Sequence, residues 1–122
     1  TLAGIAAMIA LTASPSFADR DVQPIQHPAP VYPADLASQS ISARCDNYFD
    51  VTPEGYVTNL EVKCGHPGFV NSSRNAVATL KFAPKIVNGE AVARKGIVYP
   101  LVYLVTDTDG NEIPPLLPPA DD

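Results

Sequence analysis

The segment 49–62 constrains the fold more than any other stretch. It reads Phe49-Asp50-Val51-Thr52-Pro53-Glu54-Gly55-Tyr56-Val57-Thr58-Asn59-Leu60-Glu61-Val62. Apolar and polar residues alternate on both sides of Pro53-x-Gly55, the pattern of two antiparallel strands joined by a tight turn. The first arm extends back to Ile41. Ile41, Ala43, Cys45, Phe49 and Val51 alternate with Ser42, Arg44, Asp46, Tyr48 and Asp50, a period of two with one apolar face. The second arm covers 56–64, with Leu60, Val62 and Cys64 inward and Asn59, Glu61 and Lys63 outward. Setting Thr52 opposite Val57 places Val51 by Thr58, Phe49 by Leu60 and Cys45 by Cys64, all on the inward face. Cross-strand Cβ atoms in a non-hydrogen-bonded pair are close enough to bridge. A Cys45–Cys64 disulfide is therefore expected.

That expectation needs an oxidising compartment. Residues 1–17 carry no charge and are rich in Ala, Leu and Ile, and Ser16-Phe17-Ala18 precedes the first charge at Asp19. This is the apolar region and cleavage site of a secretory leader, and no basic region or initiator Met precedes it. Residues 1–18 are expected to be a signal peptide whose start lies upstream. An uncleaved inner-membrane anchor facing the periplasm is the rival reading. The remaining 104 residues, 19–122, suit one small domain. With a net charge of −5 and scattered basic residues, nucleic acid is a poor partner.

Beyond the hairpin the period changes. Val70, Ser73, Val77 and Leu80, with Ala76 beside them, form a helical stripe over 70–81, and Pro84 prevents its continuation. A shorter helix fits 34–38, with Pro33 at its start. Asn88-Gly89 between Ile86-Val87 and Ala91-Val92 is a type I′ turn signal. The run 96–105 is the most apolar and reads as a last strand interrupted by Pro100, which points to an edge or a bulge. Residues 19–29 are a Pro-rich lead-in, and 106–122 an acidic, Pro-rich tail expected to be disordered. The predicted class is α+β: a small antiparallel three-stranded sheet, hairpin plus edge strand, with two helices on one face.

These pieces, in this order, resemble the TonB C-terminal domain family. Pro30-Val31-Tyr32-Pro33-Ala34 is similar to its Pro-x-Tyr-Pro entry, and 49–62 to its first hairpin. Asn75-Ala76-Val77-Ala78-Thr79-Leu80-Lys81-Phe82-Ala83-Pro84 is similar to its helix and aromatic-x-Pro ending. Asn88-Gly89-Glu90-Ala91-Val92 and 96–105 resemble its turn and last strand, so the likeness spans about 30–105. The resemblance implies a periplasmic module, with no catalytic residue and no cofactor, that binds a peptide of an outer-membrane TonB-dependent receptor by strand addition. Its contacts would be Pro30, Tyr32 and Pro33 with Ile97, Val98, Tyr99, Leu101, Val102 and Tyr103. The family's membrane helix and long spacer have no counterpart in the dozen residues between the leader and Pro30, so a stand-alone module is expected. A homodimer through exchanged strands stays open.

Other chemistry is weakly represented. There is no Gly-x-Ser-x-Gly elbow, phosphate loop or His-Glu-x-x-His. His27, His66 and the cysteines match no zinc spacing, and oxidation would remove the thiolates. Asp107-Thr108-Asp109-Gly110-Asn111-Glu112 resembles half a calcium loop but reads as a solvated turn. Two other readings remain: an envelope assembly domain like the TolA C-terminal domain, and a soluble periplasmic binding or inhibitor protein.

Overall fold

The computed structural model describes residues 19–120. The expected leader falls on 1–18, outside the described residues. In chain order the elements are β1 (Gln23–Pro24), α1 (Ala34–Ser38), β2 (Ala43–Val51) and β3 (Val57–Cys64). A 3-10 turn (Pro67–Phe69) then leads into α2 (Val70–Ala78). They are followed by β4 (Phe82–Ala83), β5 (Lys85–Val87), β6 (Glu90–Val92) and β7 (Arg94–Tyr103). The main sheet is antiparallel in the order β3-β2-β7, so the hairpin's first arm is central and the last strand lies at an edge. β1 pairs with β4, and β5 with β6. The fold is α+β, as the alternation and the helical stripe require.

The core follows from the two periods. Ala43, Cys45, Asn47, Phe49 and Val51 all point inward from β2 and are buried. α2 lays Ser73 and Val77 over them, and Phe69, Leu80 and Phe82 close the layer. Burying a side chain such as Phe69 or Val77 contributes about 1.5–3 kcal/mol. The 3-10 turn starts with Pro67, and the His66 Nδ1 accepts a 3.0 Å hydrogen bond from the Gly68 N–H. α2 stops at Ala78, short of the expected 81, and Leu80 N–H bonds back to Val77 O at 3.1 Å. That tightening swings Leu80 and Phe82 into the core.

Cys45 and Cys64 are bonded, with Cα atoms 4.0 Å apart. The register closer to the turn differs by one residue. Val51 faces Val57, not Thr58, because β3 carries an extra residue near Asn59, whose φ is +55°. The bulge restores the expected pairing from Tyr48 opposite Glu61 to Cys45 opposite Cys64. A matching shift on β7 leaves Phe49 opposite Ile97 but Val51 opposite Arg94. The turn itself rests on Gly55, at φ +93°, where an added Cβ would lie 2.2 Å from Phe82 O.

Both Pro-rich ends are tied to the folded domain. In the lead-in, Arg20 and Ile86 exchange backbone bonds of 3.1 and 2.9 Å, and Ile25 N–H donates to Lys81 O. The tail expected to be disordered is tied down as far as it is described. Ile113 N–H donates to Val105 O, closing a hairpin around Asp107, whose carboxylate accepts from the Asp109 and Asn111 N–H groups. Leu116 then lies parallel to β2: its N–H donates to Ser42 O and its carbonyl accepts from Arg44 N–H, both at 2.9 Å. The physical reason is backbone satisfaction. β3 ends at Cys64, and the polar groups of β2 beyond it need partners that low hydrophobicity does not prevent the tail from supplying.

Candidate functional site

The direction of each backbone group on β7 can be worked out from β2. Arg44 bonds the tail through its N–H and Gly65 through its carbonyl, both on the β3 side. In an antiparallel strand, successive residues alternate in direction. Asp46 and Tyr48 therefore also face β3, while Ala43, Cys45, Asn47 and Phe49 face β7. Their partners on β7 are Tyr103, Leu101, Tyr99 and Ile97. That leaves Val98, Pro100 and Val102 with main-chain groups turned away from the sheet. Pro100 lies opposite Asp46 in a non-bonded pair, so its missing N–H takes nothing from the internal ladder.

The outer edge of β7 thus offers the N–H groups of Val98 and Val102 and the carbonyls of Val98, Pro100 and Val102. No described strand pairs with it. The edge has a defined start. Gly96, at φ +73°, donates its N–H to Asp50 Oδ1 at 3.0 Å and is not available to a ligand. Asp50 Oδ2 accepts from Asn59 Nδ2 at 2.9 Å and lies 3.8 Å from Lys95 Nζ. One carboxylate therefore holds both bulges. The Asn59 hydrogen bond, then the Gly96 N–H and Lys95, keep the Asp50 carboxyl below its ordinary value of 3.8.

The expected contact residues separate into two groups. The side chains of Val98 and Val102 are exposed, at 53% and 52%, on the open face across from Tyr48 and Arg44. Leu101 and Tyr103 are buried, and Ile97 and Tyr99 are packed against the core. These four reach the edge only through the strand they stiffen. Tyr32 is half-buried, its ring edge-on to Phe69 and Tyr103 with centroids 5.5 Å away in each case, and its hydroxyl donates to Ile41 O. Pro33 starts α1, while Pro30 is exposed. The Tyr103 hydroxyl meets Ser72 Oγ at 2.9 Å, and Ser72 Oγ also donates to Val31 O, so the entry segment is fastened to the end of β7. Burial raises the pKa of both Tyr32 and Tyr103 above the ordinary phenol value.

Sequence reasoning missed the buried pair behind the edge. Ser73 Oγ donates to Asn47 Oδ1 at 2.8 Å, and Asn47 Nδ2 donates to Tyr99 O at 3.0 Å. Both residues sit at inward positions of their elements, and a polar residue on each of two facing stripes was the available signal. Among the described residues no three His, Cys, Asp or Glu side chains gather as a metal site. A cleft of about 270 Å3 between the lead-in and α2 is lined by Val31, Ser72, Asn75, Ala76, Thr79 and Leu80, among others. It holds no paired acid and base.

The other edge of the sheet is less suited to a new strand. β3 is bulged at Asn59 and carries Glu61 and Lys63, the features by which edges are blunted. β7 has ten residues, with Val98 and Val102 two positions to either side of Pro100.

Comparison with known proteins agrees with this architecture. Residues 28–103 match the family described as Gram-negative bacterial TonB protein C-terminal. Protein TonB of Pseudomonas aeruginosa is 31% identical over 84 residues, which are 67% of this chain and 25% of that protein. The chain thus spans about a quarter of that relative's length. The solution structure of the Pseudomonas aeruginosa TonB C-terminal domain superposes with a TM-score of 0.60 at 25% identity, covering 73% of this chain and 91% of that one. The chain belongs to the TonB C-terminal domain family.

Proposed function

We propose that this domain is a periplasmic binding module that adds an extended segment of an outer-membrane TonB-dependent receptor to the outer edge of β7. The observation that carries the reading is the unpaired edge itself: a ten-residue strand whose outward groups belong to Val98, Pro100 and Val102. Main-chain hydrogen bonds supply affinity in such a mode, and alternate side chains supply register. Tyr32 and Phe69 pack against Tyr103 and fasten the end of the strand, so little ordering remains to be done on binding. The module acts by binding rather than catalysis and needs no cofactor. The paired cysteines agree with an exported location. Among the described residues no helix is long and apolar enough to cross a membrane.

Hydrogen exchange of the oxidised protein with synthetic receptor plug peptides tests this reading. The Val98 and Val102 amides are expected to gain protection, with a gap at Pro100. Val102→Pro removes only an outward donor, because Val102 and Arg44 form a non-bonded pair across the sheet. It should weaken binding about tenfold, while Glu61→Gln, on β3, should leave it unchanged. Protection confined to β3, or absent everywhere, would overturn the proposal.

A further inference from the structure

We infer that Pro100 is the specificity residue of the β7 edge: it lets a foreign strand add while refusing a second copy of β7. The inference rests on the reading of β7 as a docking edge. Pro100 is one of three residues whose main chain faces outward, and it occupies the middle position between Val98 and Val102. In a hydrogen-bonded antiparallel pair, the proline Cδ would stand where the N–H should, aimed at the partner's carbonyl. The strands must bow apart there and one bond is lost.

Two copies of β7 meeting about a two-fold axis encounter this obstacle twice. If Pro100 faces its symmetry mate, both central donors are missing and two rings crowd one another. If the register slides by two residues, each Pro100 faces a valine, and each valine carbonyl loses its donor. A longer slide one way carries Pro100 past the end of β7 at Tyr103, and the other way sets it opposite Gly96, whose N–H is already held by Asp50, so that pair forms no bond at all. A foreign strand meets Pro100 once. Its residue opposite can still donate to the Pro100 carbonyl, and a local bulge relieves its own carbonyl. The exposed Val98 and Val102 side chains make the edge adhesive, so an obstacle to self-pairing has a clear role.

Two measurements without any receptor peptide test the inference. In sedimentation equilibrium, the oxidised wild-type chain is expected to show no association through β7, whereas Pro100→Val should form a concentration-dependent dimer. Because that variant could misfold, a second arm uses the wild-type protein and synthetic peptides copying 96–104. The peptide carrying Pro100→Val should bind at least about tenfold more tightly than the natural one. Equal peptide affinities, or wild-type dimers that protect the Val98 and Val102 amides, would overturn the inference. Failure of receptor peptides to bind, with these arms as expected, would instead count against the proposed function alone.

Discussion

Asp50 sits where both neighbours of β2 bulge, and its two oxygens serve one bulge each. The acidity of this carboxylate makes the edge's anchoring depend on pH. Because its folded pKa lies below the ordinary 3.8, the ionised form favours the fold. Its contribution is fully present above the unfolded value and is lost as pH falls through the folded one. Denaturant melts of wild type and Asp50→Asn should therefore differ by a constant amount above about pH 5 and converge as pH drops below 3.8. A gap that persisted at the lowest pH would show that the Asn59 and Gly96 contacts do not depend on the charge. Neither contact was legible beforehand. Asn59 and Gly96 look like ordinary turn-prone residues within strands, and only the structure reveals that one carboxylate reaches both.

At the scale of elements, the tail is held by space as much as by bonds. A Cβ added at Gly65 would lie 2.0 Å from Leu116 O. Gly65→Ala should unseat 113–117 and raise exchange at the Arg44 amide, while leaving β7 and the disulfide in place. Unchanged exchange there would mean that the tail adds nothing to the sheet. The hairpin, α2 and the edge position of β7 were legible because strict periods of two and of 3.6 leave few alternatives. The hairpin register near the turn was not, since a single left-handed residue shifts it without changing the pattern. Nor were the ends: proline content reports how little surface can be buried, and says nothing of which orphaned backbone groups wait nearby. The direction of Pro100, by contrast, was implicit in the cysteines. A bond across the non-hydrogen-bonded pair of Cys45 and Cys64 fixes which residues of β2 turn toward β7.

For the molecule as a whole, the disulfide matters beyond static stability, where closing its loop contributes about 3 kcal/mol. Cys45 and Cys64 are separated by 19 residues yet lie 4.0 Å apart between Cα atoms. If the folded chain is stretched from its two ends, that loop cannot lengthen. Optical-trap extension of the oxidised protein should fall short of the reduced protein by roughly 60 Å of contour per unfolding event. Equal lengths would show that the bond is absent from the protein under oxidising conditions. The geometry has a mechanical corollary. Load entering at β7 is handed to β2, and β2 is welded to β3 at the end remote from the hairpin turn. Beyond that weld the two strands cannot be peeled apart, so tension is limited by the hydrogen-bonded seam between β7 and β2, the one interface of the sheet that can still act as a fuse.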